Sequence, residues 1–217
     1  MKSMGRLVAV SGFLGLLVVG AMGLAPRHTE GQGAALAVAT RAIDSFAIDP
    51  VHSTVLFRIT HAGAGIFWGR FSEVSGTFAM DADDPGGSFF KVTVPISGVD
   101  THNAKRDAHL ASGDFFNARQ NPEATFESTG VTATDEDGVF EVTGDLTLFG
   151  QTKSITARVL DNGGSRFQGK ATRGFEVEFT VKRSDFGNTT YLAADGSNSG
   201  GLGNDVRIIV AGEGRKQ

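Results

Sequence analysis

The stretch DTHNAKRDAHLASGDFF, residues 100–116, gathers residue types that could do chemistry: His102 and His109, Asp100, Asp107 and Asp114, Lys105 and Arg106. A metal centre is the first reading. The two histidines are seven positions apart, about two turns along one helix face. That is wider than the i, i+4 pair of helical zinc motifs, and no third ligand stands nearby. Catalysis is the second. Ser112 could be posed beside His109, but the chain has no nucleophile elbow of the G-x-S-x-G kind. Cysteine is absent altogether, which removes thiolate nucleophiles, thiolate metal sites and disulfides. No catalytic residue, metal or cofactor is expected. Two readings remain, and they are compatible. Asp100, Arg106, Asp107 and His109 could pair with one another and pin a helix. Alternatively, Asp100, His102, Arg106 and His109 could form a polar rim, with the arginine offering paired donors and a histidine a single one.

The segments that must position this stretch alternate with period two. Val55, Phe57 and Ile59 share one face of STVLFRIT, with Leu56 the exception. Val92, Val94 and Ile96 share one in KVTVPIS, and Phe175, Val177, Phe179 and Val181 one in GFEVEFTVK. VFEVTGDLTL and TKSITARV repeat the pattern with Phe140, Leu146 and Leu148, then Ile155 and Val159. Such segments are strands with one apolar and one wet side. Turn-forming clusters punctuate them at 81–87, 135–138, 149–151 and 161–165. The spacing predicts eight strands: 45–49 with 53–61, then 67–80, 88–98, 123–133, 138–148, 152–161, 167–183 and 204–212. Only 102–111 reads as a short helix, capped by Asp100 or Thr101. Short connections imply antiparallel neighbours. A sheet with one apolar face can close on itself into a barrel or pair with a second sheet in a sandwich.

Composition adds to this. Net charge is −4, with 20 basic against 24 acidic residues and no basic run, so no nucleic-acid partner is expected. Seventeen phenylalanines stand against one tyrosine and one tryptophan. Bulk without a polar handle suits a surface that faces hydrocarbon, although a solid core would use it too. Lys2 and Arg6 precede the uncharged run Leu7–Ala25, and small-x-small sites lie at Ala21–Gly23 and Ala37–Ala39. That order reads as a signal peptide over 1–25, with cleavage as late as 44. An uncleaved anchor is the alternative. Residues 26–44 read as a linker and 45–217 as the folded domain, exported to the periplasm or secreted.

Over residues 46–212 the chain resembles the YceI-like family of exported, lipocalin-like polyisoprenoid-binding proteins. The likeness rests on FAIDPVHSTVLFRITHAG, on Gly69-x-Phe71 with Ser75-Gly76-x-Phe78, and on the charged stretch. NPEATFES, GDLTLFGQTK and RSDFGN complete it. It implies an all-β fold: an extended eight-stranded antiparallel lipocalin-like barrel with a short helical segment near 102–111. It also implies a tunnel for an isoprenoid lipid, either a quinone or a polyprenyl phosphate. The expected tail-facing residues are Phe57, Ile59, Phe71, Phe78, Phe126, Phe140, Leu146, Leu148, Phe175 and Phe179. The expected rim is Asp100, His102, Arg106 and His109. Transient membrane contact and a homodimer complete the expected partners. A hydrolytic or lipid-modifying enzyme on the same barrel, or an envelope protein with a filled core, are the alternatives. One segment departs from the family pattern: NTTYLAADGSNSGGLGN, residues 188–204, is long and rich in glycine.

Overall fold

A computed structural model of the chain describes residues 43–217. The export segment, its cleavage and most of the linker lie outside those residues. Eleven strand segments form one antiparallel sheet. They are β1 (Phe46–Ile48), β2 (Thr54–His61), β3 (Gly65–Phe71), β4 (Ser75–Ala79), β5 (Phe89–Pro95), β6 (Val99–Asp100), β7 (Glu123–Ala133), β8 (Val139–Leu148), β9 (Gln151–Phe167), β10 (Lys170–Lys182) and β11 (Leu202–Lys216). The order β1-β4-β5-β7-β8-β9-β10-β11 returns to β1 and closes a ring of eight.

The remaining three segments continue strands already in the ring. β2 follows β1 along β11, with Ala211 opposite Thr54 and Gly214 opposite Ile48. β3 pairs with β2 as β4 pairs with β1, and β6 pairs with β3 as β5 pairs with β4. The eight predicted strands are therefore present, three of them bent in the middle. Each bend has a local cause. At the first, Asp49 Oδ1 accepts from Val51 N at 3.0 Å beside Pro50, an Asx turn that interrupts the ladder. At the other two, Ser72 N and Oγ both donate to Gly98 O, at 2.9 and 3.1 Å. Closure leaves no free sheet edge along the ring, which settles the choice between barrel and sandwich.

Three local expectations are corrected. DNGGS at 161–165 is not a turn: β9 runs on to Phe167 and the reversal falls at Gln168 (φ 50°) and Gly169 (φ 80°). Positive φ at both central residues is what a tight primed hairpin turn requires. The Gly163–Gly164 pair instead lies beside a bulge, where Gly174 faces Gly163 but Phe175 faces Asp161. The helix α1 is Ala104–Ala111, and its cap is Asn103, whose side chain accepts from Arg106 N at 3.0 Å. Asp100 and Thr101 are committed elsewhere. Leu56, which broke the alternation, keeps it in the fold: it sits on the outer face, opposite Arg70 and Ile209.

Candidate ligand-binding cavity

The inward faces of the strands do not meet in the upper half of the barrel. They enclose a cavity of about 670 Å³, within the range of small-molecule sites. Its walls are almost wholly aliphatic and aromatic. Eight of the ten tail-facing residues expected from period two line it: Phe57, Ile59, Phe71, Phe126, Leu146, Leu148, Phe175 and Phe179. Phe78 and Phe140 do not. Both point inward but lie below the cavity in solid core, 0% and 4% exposed. Period two gives the side of a strand; it carries no information about depth along the barrel.

The cavity reaches the surface at one end. There the lining includes the exposed residues His61, Arg106, His109 and Tyr191. α1 lies across this end and brings Arg106 and His109, three apart, onto one face. The Arg106 guanidinium sits 4.4 Å over the Phe67 ring and donates to Thr101 Oγ1 (2.8 Å) and Thr101 O (2.6 Å). Asp107 accepts from Thr101 N at 2.9 Å and from its hydroxyl. His109 Nε2 meets Asp114 Oδ2 at 2.9 Å, and its ring stands edge-on to Phe115 at 5.1 Å.

The other two expected rim residues lie off the cavity. Asp100 accepts from Arg70 Nε and Nη2 at 2.9 and 2.8 Å. Its carboxyl is held below the usual value of 3.8, first by the hydrogen bond from His102 N and then by Arg70. His102, at φ 59° and with an 87% exposed side chain, points to solvent. So none of the four polar residues read as a mutually paired set pairs with another: Asp100 is tied to Arg70, Arg106 and Asp107 both to Thr101, and His109 to Asp114. Their combined effect is to fix α1 over the mouth.

A model of the YceI-like domain matches residues 46–213. The chain belongs to the YceI-like family. Protein YceI of Escherichia coli is 39% identical over 168 residues, 76% of this chain and 83% of that one. BcnA of Burkholderia cenocepacia shares the fold at 21% identity and a TM-score of 0.64, covering 76% of this chain and 98% of that one. A polyisoprenoid-binding domain from Saccharophagus degradans does so at 14% identity and a TM-score of 0.58, covering 81% and 100%.

Within this YceI-like barrel the long loop 188–204 forms one side of the mouth, through Tyr191, Gly201 and Leu202. Arg183 organises it. Instead of pairing with Asp185, its buried guanidinium donates to Gly203 O (2.7 Å), Leu202 O (3.0 Å), Asn188 Oδ1 (2.7 Å) and Asn188 O (3.3 Å). Burial pushes its pKa down. Asn188 in turn donates to Asp114 O at 3.2 Å, tying the loop to the end of α1. Its side chain is thereby withdrawn from the glycosylation pattern Asn188-Thr189-Thr190. Farther along, Asn198 Oδ1 accepts from Asn204 N and Asp205 N at 2.7 and 2.8 Å.

Arg183, Phe67, Phe115, Phe116 and Phe149 also line the cavity and were not among the expected residues. Phe67 was legible, two before Gly69 and four before Phe71 in a period-two run. Arg183 continues the odd-numbered face of Phe179 and Val181 just past the end of β10, whereas Phe115, Phe116 and Phe149 sit in turns, where no period exists to read. His61, the last residue of β2, stands at the rim. His52 is structural: its Nδ1 lies 3.2 Å from Asp49 Oδ2 and 3.7 Å from Glu213 Oε1. That trio has the makings of a metal site, but Arg215 holds Asp49 Oδ2 at 2.8 Å and already balances its charge.

Proposed function

We propose that the chain is an exported binding protein that carries or stores an isoprenoid lipid, a quinone or a polyprenyl phosphate, and turns nothing over. The observation that carries this reading is the cavity itself: about 670 Å³, apolar on nearly every wall, with polar residues confined to one open end. An apolar tail gains roughly 0.8 kcal/mol per methylene on leaving water, so such a space favours a greasy chain over a polar solute. The polyisoprenoid-binding domain of Saccharophagus degradans, built on the same fold, supports the choice of tail.

A bilayer hosts the same tail about equally well, so tail burial nearly cancels between membrane and protein. Contacts to the head group then set whether the lipid is held or released. Arg106 and His109 are placed for that task, the first suited to a phosphate and the second to a quinone carbonyl. Pick-up and delivery require passing contact with a membrane at the open end. Export rests on the basic n-region, apolar run and small-x-small sites of the sequence.

The test is mass spectrometry of an organic extract of the protein purified from its native host. A stoichiometric isoprenoid lipid is expected. A protein without lipid, or one that converts an added quinol or prenyl phosphate, would overturn the reading.

A further inference from the structure

The barrel is hollow only above a layer of phenylalanine. Phe46, Phe78 and Phe90 stand side by side on β1, β4 and β5, with Phe46 opposite Phe78 and Phe78 opposite Phe90. Their rings stack at 5.5 and 5.9 Å. Phe175 comes from β10, which β11 and β1 separate from β4 in the ring. It nevertheless reaches across the lumen to lie edge-on to Phe78 at 4.8 Å and to Phe90 at 6.3 Å.

The intervening strand makes room for this crossing. A Cβ on Gly212 would stand 3.2 Å from the Phe175 ring, and one on Gly214 only 2.5 Å from the Phe78 ring. Phe90 and Phe175 line the cavity from below, whereas Phe46 and Phe78 do not touch it. All four are at most 5% exposed. The rings therefore form a floor held by side chains from both sides of the barrel.

A floor makes the cavity finite. At roughly 30 Å³ per liquid-packed heavy atom, the share a water takes, 670 Å³ houses on the order of twenty heavy atoms. That is about four isoprene units. Any carbon beyond the floor's limit must emerge at the mouth into water, where each methylene loses the transfer energy that a bilayer would still supply. We propose that Phe90 and Phe175 set the length of the tail this protein accepts, at about twenty carbons. The proposal rests on the lipid-binding reading above.

The test presents the purified protein with phosphatidylcholine vesicles containing an equimolar series of prenyl alcohols, from ten to forty carbons. The alcohols recovered with the protein after the vesicles are removed are then quantified. Recovery should peak near twenty carbons, with the forty-carbon alcohol recovered at least about tenfold less efficiently, as burial of apolar surface demands. Phe175→Ala should move the peak to longer chains. Phe175→Leu, a smaller change that keeps the core filled, should move it in the same direction by less. Recovery that rises or stays level up to forty carbons, or a peak unmoved in folded variants, would overturn the floor as a ruler. Recovery of no prenyl alcohol at any length would overturn the lipid-binding reading itself, and the ruler with it.

Discussion

At the mouth, single residues that look alike in sequence have separate tasks. Arg106 and His109 face the cavity, while Asp100 and His102, from the same charged stretch, face Arg70 and solvent. Arg106→Gln should therefore reduce retention of a phosphate-headed lipid at least about tenfold, since a charge-assisted hydrogen bond contributes about 1.5–3 kcal/mol. His102→Ala should leave retention unchanged. Lipid-to-protein ratios after challenge with empty vesicles measure both, and equal retention in the two variants would remove Arg106 from the site. Asp100 serves stability. Its carboxyl and that of Asp49, which His52 chiefly holds down, titrate below the usual 3.8 in the folded chain. The unfolded chain binds those protons more readily, so the stabilisation is complete above about pH 5 and drains away as pH falls through about 4 and below. Asp100→Asn should melt lower than the parent at pH 7, and the gap should narrow by pH 3. A gap that widens with acid would contradict the sign. The polar character of this stretch was legible. Which neighbour each charge would choose was not, because Arg70, thirty positions away from Asp100, is brought there only by the pairing of β3 with β6.

At the scale of the strand, alternation separates cavity from solvent one residue at a time. Phe179 lines the cavity; Glu178 faces outward and meets Arg207 at 2.6 Å. Phe179→Arg should abolish lipid binding or folding, because it places a charge in an apolar interior without a partner. Glu178→Arg should preserve both and cost at most about 1 kcal/mol, the worth of an exposed ion pair. Depth along the strand adds a second contrast. Phe78 is fully enclosed by rings, so Phe78→Ala should cost about 3–5 kcal/mol. Phe179→Ala merely enlarges a space that is already open and should cost clearly less. Chemical denaturation of the variants decides the matter, and equal losses at 78 and 179 would mean a solid interior. The eight strands could be read from residues such as Phe57, Phe140 and Phe175 because a period of two has one physical cause, the pleat. The end of β9 could not. Asp161-Asn162-Gly163-Gly164 has the composition of a turn, but β10 pairs with β9 through this stretch as far as Phe167 and the ladder absorbs the extra residue as a bulge.

At the scale of the molecule, one end of the barrel is plugged by rings and the other is framed by polar anchors. Arg183 is the principal anchor, joining β10 to the loop 188–204 through four hydrogen bonds. Arg183→Met leaves those acceptors without a donor and should destabilise the protein by about 3 kcal/mol or more. Limited proteolysis should then cut first within 188–204; cleavage elsewhere with the loop intact would show that the anchor lies in another contact. Sequence alone offered no route to this network, since an arginine two positions from an aspartate invites an ion pair. The N-terminal segment predicts a mature chain that starts between Leu24 and Ser45, which the intact mass of the native protein will test. A soluble species that retains Met1–Ala25 would count against export.

The bend between β3 and its neighbours leaves the single tryptophan in an informative place. Trp68 lies on the outer face of β3, 47% exposed and 6.0 Å from the Arg58 guanidinium, immediately after Phe67 of the cavity wall. The protein thus carries its own optical reporter, sensitive to what approaches the outside of the mouth and indifferent to what fills the inside. Indole rings settle at the headgroup level of bilayers, so vesicles pressed against this end should move the emission to shorter wavelength. Lipid loaded in the absence of vesicles should not. A shift on loading alone, with none on adding vesicles, would place the membrane contact on another face.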